Sequence, residues 1–205
     1  MKFAVEATRG TTNDIERSVR LFYKVRDGIR YDPYRVGLSR ESYKASHVLS
    51  VGSGFCLPKT NLLAACVRAV GIPAAIGLAD VKNHLCTEKL RRAMGGKEIF
   101  LHHGYALLFV EGRWVKAASA FNIELCEKFG VLPTDFDGRS DALLQPIDAQ
   151  GKRHMEYVVD HGIFADFPFE RVIGDFKAYY PEGLFYRGDD AVRFEDEQPL
   201  LKLSK

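Results

Sequence analysis

The chain has 205 residues, 46% of them hydrophobic, which is enough to bury one full core and favours a single domain over residues 1–205. Its 29 basic and 27 acidic residues leave a formal net charge of +2, and their dispersion argues against nucleic acid as a partner. No apolar run approaches the roughly 20 residues that a membrane helix needs, and the charged N-terminus lacks a signal-peptide core, so we expect no membrane partner and a cytoplasmic location.

Two helices are predicted in the first 50 residues. Apolar residues at helical spacing predict the first helix over residues 14–27, with Asn13 as its N-cap. Pro33 then indicates a loop. The second helix is predicted over residues 40–50, with Ser39 as its N-cap.

A third helix is predicted from Leu57, because Pro58 suits a first helical turn and Gly71 marks the end. The apolar run over residues 72–81 predicts a strand, and residues 83–100 are expected to be irregular or partly helical.

Residues 103–120 predict a β-hairpin that turns at Glu111 and Gly112, with Trp114 packed in the core beneath the sheet. A short helix over 123–130 follows, ended by Gly130. Residues 133–162 are predicted to be loop-rich, and the polar tail over 181–205 to be poorly ordered apart from Leu184 and Phe185. Helices followed by an antiparallel hairpin predict an α+β fold.

The four cysteines are predicted to be free, because a cytoplasmic chain keeps its thiols reduced. Cys66 and Cys126 fall on apolar helix faces and are predicted to be core residues. Without a CxxC pair we expect neither a metal nor a cofactor, and the nearest metal candidate combines His84 and Cys86 with His102 and His103.

Cys56 stands where a glycine-containing approach, Gly52 to Gly54, enters the third helix. Unpaired backbone N–H groups and the positive end of the helix dipole converge there, which favours a thiolate and a lowered pKa. The alternative is an inert, buried cysteine. A catalytic thiol also needs an imidazole, and His103, at the start of the predicted hairpin, is the best-placed candidate. Its neighbour His102 is expected on the opposite face of the strand.

Together, GFCLPKTNLLAACVRAVGIPAA and HGYALLFVEGRWVKAASAFN resemble the transglutaminase-like superfamily, in particular bacterial-type transglutaminase domain proteins, over residues 31–122. The resemblance implies a papain-like site, in which a helix carrying the nucleophile packs on an antiparallel sheet carrying the base. By this match Cys56 is the nucleophile and His103 the acid/base. It implies a peptidase, amidase or transglutaminase that acts on a peptide, protein or small amide through a thioester.

The resemblance fails at one position, since Ala118 stands where the superfamily usually has an Asp that orients the imidazole. Ser119 and Asn122 are the nearest substitutes, because a hydroxyl or an amide oxygen can accept the imidazole N–H. Three aspartates further along could also return to the site: Asp135, Asp137 and Asp141. Tyr31 is a candidate oxyanion donor, and Asp80 and Asn83 are candidates to line the pocket.

Two alternatives remain open at this point. Ala118 favours a non-catalytic binding module that has kept the fold and its pocket. The other alternative is a metal protein that uses Cys86 with His84.

Overall fold

Seven α-helices and six β-strands form in the residues that the computed structural model describes, which are 2–84, 86–185 and 194–197. In chain order the elements are α1 (Lys2–Ala7), α2 (Asp14–Gly28), β1 (Arg30–Tyr31), α3 (Ala45–Val51), β2 (Ser53–Gly54), α4 (Cys56–Ala69), β3 (Ala74–Asn83), α5 (Glu88–Ala93), β4 (Ile99–Val110), β5 (Arg113–Ala117), α6 (Ile123–Phe129), β6 (Met155–Phe164) and α7 (Phe169–Tyr179). The predicted α+β class is confirmed.

Local sequence signals set several of these element ends. The side chain of Asn13 accepts a hydrogen bond of 2.9 Å from the backbone N–H of Glu16, which caps α2. Gly130 ends α6 in the left-handed region, at a φ of 64° that glycine adopts without strain.

The predicted helix over residues 40–50 is divided in two. A 3₁₀ turn over Arg40–Tyr43 precedes α3, and Lys44 between them is extended. Ser39 does not cap this turn through its side chain, because its hydroxyl bonds with that of Ser42. Residues 40–50 are therefore mostly helical, as predicted, but they form two separate elements rather than one helix.

The main sheet has four antiparallel strands in the order β5-β4-β3-β6. The predicted hairpin is its β4–β5 pair, in which Phe109 lies opposite Trp114. Trp114 is 50% exposed, so its predicted place in the core is wrong. It lies on the edge strand β5 and packs against the partly exposed ring of Phe109, at 5.3 Å between ring centroids.

Residues 133–162 were predicted to be loop-rich, but Met155–Phe164 form β6, the other edge strand. Most residues of β6 are exposed or half-buried, with large apolar side chains on the exposed face, including Val158 and Ile163. The strand therefore lacks the alternation of apolar and polar residues that would have revealed it. It forms because β3 offers it a hydrogen-bonding edge.

Alternate residues of β4 pack into two apolar clusters, one on each face of the sheet. Ala106 and Leu108 join the cluster with α1, α2 and most of α4. Tyr105 and Leu107 join the cluster that includes α7. Helix α4 is buried on nearly all sides, and even Lys59 is fully enclosed, donating to the carbonyl oxygens of Arg26 (2.8 Å) and Ile29 (2.5 Å) near the end of α2.

The described parts of the predicted polar tail are packed against the rest of the chain. Leu184 and Phe185 are buried, as is Phe194, whose ring contacts those of Tyr31 and Tyr34. The remainder of the tail, residues 186–193 and 198–205, lies outside the described residues. Within the described ranges, every helix is too short or too polar to cross a membrane.

Candidate active site

Cys56 is the first residue of α4, and a short parallel pair of strands fixes the backbone that leads into it. The Arg30 N–H bonds to the carbonyl of Gly52, and the Asp32 N–H bonds to the carbonyl of Gly54. Gly52 turns at a φ of 69° to end α3, which a residue with a Cβ would do only under strain. The helix start predicted from the sequence is therefore present, and Cys56 is buried there.

Strand β4 brings His103 to the cavity that Cys56 also lines. The backbone N–H of the next residue, Gly104, faces the Cys56 sulfur. A Cβ at position 104 would lie 2.9 Å from Leu57 and 3.0 Å from Thr60, so only glycine allows β4 to approach α4 this closely. Gly104 was missed from the sequence, although its place directly after His103 was a usable signal.

Burial dominates the protonation of both groups. It raises the pKa of the Cys56 thiol to about 11, against the opposing effect of the backbone N–H groups of Gly104, Leu57 and Cys56 itself. It lowers the pKa of His103 to about 4. The helix start therefore stabilises the thiolate in the expected direction, but burial outweighs it. At neutral pH the site holds a neutral thiol and a neutral imidazole.

The residues proposed from the sequence to orient the His103 imidazole do not hydrogen-bond to it within the described part of the chain. The Nε2 atom of His103 is buried without a hydrogen-bond partner among the described residues, and so is the Ser119 hydroxyl. The side chain of Asn122 is engaged elsewhere, since its oxygen accepts from the Tyr31 N–H at 3.0 Å and its nitrogen donates to Glu124. Ala118 is fully buried and offers no acceptor. In the part of the chain that the structure describes, His103 therefore has no orienting hydrogen bond at Nε2.

The three aspartates further along the chain make other contacts. Asp135 pairs with Arg26, Asp137 accepts from the backbone of its own turn, and Asp141 accepts from the Lys116 N–H. Within the described residues, none of the three makes a hydrogen bond to His103.

The cavity at Cys56 is narrow, with a volume of about 50 Å³, and its walls are mainly apolar and aromatic. It is lined by Tyr31, Pro33, Val36, Phe55, Cys56, Val81, Asn83, Leu90, Met94, Phe100, Leu101, His103, Phe121, Met155, Phe176, Tyr180 and Leu184. No Asp, Glu, Lys or Arg occurs among these lining residues in the described part of the chain. Burial raises the pKa of Tyr31, so its hydroxyl stays protonated at the cavity wall.

Other candidate residues lie apart from this cavity or in a second cluster. His84 approaches Glu156 at 3.4 Å and the Cys86 thiol points to the Thr87 carbonyl, so the described residues do not assemble the metal candidate of the sequence analysis. Asn83 lines the cavity as expected, but Asp80 does not. Asp80 lies instead with His102 and His161. Cys66 and Cys126 are buried in the core, as predicted.

Solved structures that partly superpose on the chain share little sequence with it. A candidate cysteine protease from Cytophaga hutchinsonii superposes with a TM-score of 0.47 at 14% identity, covering 80% of this chain and 41% of that one. A candidate protease from Parabacteroides distasonis gives 0.41 at 20% identity, covering 58% and 22%. The arylamine N-acetyltransferase from Mycobacterium abscessus gives 0.42 at 15% identity, covering 70% and 46%. The chain thus spans less than half the length of each.

A comparison with curated proteins found no match. The family model described as "Transglutaminase-like superfamily" matches residues 1–118, which is more than half of the chain and contains Cys56, His103 and Gly104. The sequence resemblance and the arrangement of a cysteine-bearing helix on an antiparallel sheet agree with this match. The chain therefore belongs to the transglutaminase-like superfamily.

Proposed function

We propose that the protein is a cysteine-dependent amide hydrolase or acyltransferase, in which Cys56 is the nucleophile and His103 the general acid/base. The observation that carries the proposal is that Cys56 and His103 line one apolar cavity while the Gly104 N–H faces the sulfur. At the level of the superfamily, the match supports cysteine-based hydrolase or acyltransferase chemistry.

The neutral state of both groups defines the first step. Sγ of Cys56 attacks the substrate carbonyl carbon while its proton passes to the neutral imidazole of His103, as in general-base catalysis. The C–N bond of the tetrahedral intermediate then breaks, and the imidazolium returns the proton to the departing amine. A thioester remains on Cys56. Water or a second amine attacks it, transfers its proton through His103 and regenerates the thiol.

Three further residues have supporting roles in this proposal. The protonated hydroxyl of Tyr31 lies at the cavity wall and donates to the developing oxyanion. Asn122 positions Tyr31 by accepting its backbone N–H. Ser119 is the proposed orienting group. Its buried hydroxyl and His103 Nε2 both lack a partner within the described residues, and in this proposal they bond to each other only when bound substrate tightens the site.

The cavity walls suggest which acyl groups the site accepts. Charged acyl groups are disfavoured because no charged side chain lines the described cavity to compensate their desolvation. Apolar and aromatic walls favour an acyl group of the same kind, carried by a peptide, a protein or a small amide.

The test is acylation of Cys56 by a series of p-nitroanilides and p-nitrophenyl esters with apolar, acidic and basic acyl groups. We expect intact-mass and peptide analysis to find a thioester on Cys56 with apolar acyl groups, and none in Cys56→Ala. Cys66→Ala is the matched control, because Cys66 is also buried but lies away from the cavity. Acylation that persists in Cys56→Ala refutes the assignment of the nucleophile.

A second candidate is a binding module, which the missing acceptor for His103 Nε2 favours. The same experiment separates the two functions. If apolar amides and esters bind with saturable affinity, as measured by calorimetry, but neither acylate Cys56 nor turn over, the binding module is the correct function.

A further inference from the structure

Three strands of the main sheet are irregular at one place. The pairing of β3 with β4 shifts between Ala79 and Val81, and the pairing of β3 with β6 shifts on both sides of Ala79 and Asp80. In β4, His102 has a φ of 54°, a conformation that residues with a Cβ rarely adopt within a strand. Bulges and strained backbone of this kind often re-aim side chains at functional sites.

The side chains that these irregularities bring together are Asp80, His102 and His161. Asp80 Oδ1 accepts from His161 Nε2 at 2.7 Å and from the His102 backbone N–H at 2.9 Å. The rings of His102 and His161 lie 4.5 Å apart between centroids. One ligand atom from each of the three residues lies within 4.8 Å of the others, which is close enough to surround one ion.

His102 has one ring nitrogen that no other group in the described part of the chain uses. Its Nε2 lies 2.7 Å from Asp175 Oδ2, and a carboxylate at that distance accepts the Nε2 proton. The other nitrogen, Nδ1, therefore carries a lone pair. This atom is buried and has no hydrogen-bond partner among the described residues, while the His102 side chain is 1% exposed. A buried acceptor without a donor costs free energy unless a ligand satisfies it.

We propose that Asp80, His102 and His161 form a binding site for a divalent transition metal such as Zn²⁺. Two imidazole nitrogens and one carboxylate oxygen are a typical ligand set for Zn²⁺ and its neighbours, and do not suit Ca²⁺ or Mg²⁺, which prefer oxygen ligands. The Asp175 carboxylate orients His102 through its second nitrogen, which is the usual outer partner of a metal-bound histidine.

Binding needs one local rearrangement. His161 Nε2 now donates to Asp80, so on binding its proton leaves or moves to Nδ1. Nδ1 lies 3.4 Å from the guanidinium of Arg171, which is exposed and can turn outward. The His161 side chain is 18% exposed, so an ion reaches the cluster from solvent without passing through the cavity at Cys56. This proposal departs from the sequence analysis, which expects no bound metal.

A metal ion at this cluster would affect the candidate active site by fixing the position of His103. His102 is bonded to His103, so an ion on His102 fixes the irregular part of β4 from which His103 projects. Three protein ligands leave at least one coordination position open to water. This inference does not depend on the proposed catalytic activity.

The test is metal binding by chelator-stripped protein, with Zn²⁺ followed by calorimetry and Co²⁺ by visible absorption. We expect one Zn²⁺ per chain, a Co²⁺ spectrum without a thiolate charge-transfer band, and a rise in the thermal unfolding temperature with Zn²⁺. His161→Gln should abolish binding, and Asp175→Asn should weaken it about 10- to 100-fold. His47→Gln is the matched control, because this half-buried histidine lies in α3, outside the cluster.

His161 is partly exposed, so its variant is expected to fold, and circular dichroism checks this. Three results would each overturn the proposal. They are no stoichiometric binding by the wild-type chain, unchanged binding by folded His161→Gln, and a thiolate band that disappears in Cys56→Ala.

Discussion

The reactivity of Cys56 towards a small alkylating reagent tests how burial and the helix start balance at the site. A thiol with a pKa of about 11 is about 0.1% ionised at pH 8, compared with about 10% for a thiol at the ordinary value of 9.0. The thiolate of a thiol with a higher pKa is more nucleophilic, by roughly eightfold for a difference of two pKa units. We therefore expect Cys56 in the folded chain to react roughly tenfold more slowly at pH 8 than in the unfolded chain, before any steric effect.

The assay follows iodoacetamide labelling of each cysteine by peptide mass spectrometry between pH 5 and pH 10. The labelling rate of Cys56 should rise tenfold per pH unit up to pH 10, without a plateau. The chain unfolded in urea supplies the ordinary reactivity. Cys126 is the internal reference for global opening, since it is also buried and its pKa is also raised to about 11. If Cys56 is labelled faster than Cys126, its labelling rate reports the folded site; if both are labelled at the same rate, the rate reports global unfolding.

A rate for Cys56 that is independent of pH between 5 and 8, and that is lost in His103→Gln, would refute this reasoning. Such a plateau shows a thiolate–imidazolium pair at rest, whereas the balance of burial against the backbone N–H groups favours the neutral thiol. The pair would then attack as a preformed ion pair, and the proton transfer described above would precede substrate binding.

Two more predictions concern Lys59 and Ala118. Burial lowers the pKa of Lys59 from 10.5 to about 7, so between these values the unfolded chain holds a proton that the folded chain lacks, and stability rises with pH. Urea unfolding should show a Lys59 contribution to the free energy of unfolding that grows by about 2 kcal/mol from pH 7.5 to 9, and Lys59→Met should lack it. Equal pH slopes in the wild-type chain and Lys59→Met would mean that the carbonyl oxygens of Arg26 and Ile29 keep the Lys59 ammonium charged. Ala118→Asp is designed to supply an acceptor for His103 Nε2 and should raise kcat by tenfold or more, up to about 10⁴. Ala118→Leu is the control of similar size without an acceptor, and a folded Ala118→Asp with no gain contradicts this role.

Short-range signals in the sequence predicted the helix that carries Cys56 and its surroundings well. The start of α4 at Cys56, the cap at Asn13 and the β4–β5 hairpin each depend on residues within a few positions, so pattern and turn chemistry define them. The shared cavity of Cys56 and His103 followed from the superfamily resemblance rather than from either residue alone.

The features that were missed depend on contacts distant in sequence. The pKa of Cys56 is set by how completely α7, β6 and the segment around Tyr31 enclose it, which no local pattern reports. The cluster of Asp80, His102 and His161 arises from strand irregularities that appear only when three strands pair. Trp114 is exposed because β5 became an edge strand, and this outcome depends on the order of the whole sheet.

The walls of the cavity come from two parts of the chain, one inside and one outside the region that the family model matches. Cys56, His103 and Gly104 lie within residues 1–118, the part that the family model matches, whereas Met155, Phe176 and other wall residues lie beyond it. Under the proposed function, substitutions in β6 and α7 change which acyl group fits while the reacting atoms stay in place. Two proteins with the same cysteine and histidine motifs can therefore differ in substrate. Sorting such relatives by substrate requires comparing residues 155–184 rather than the motifs.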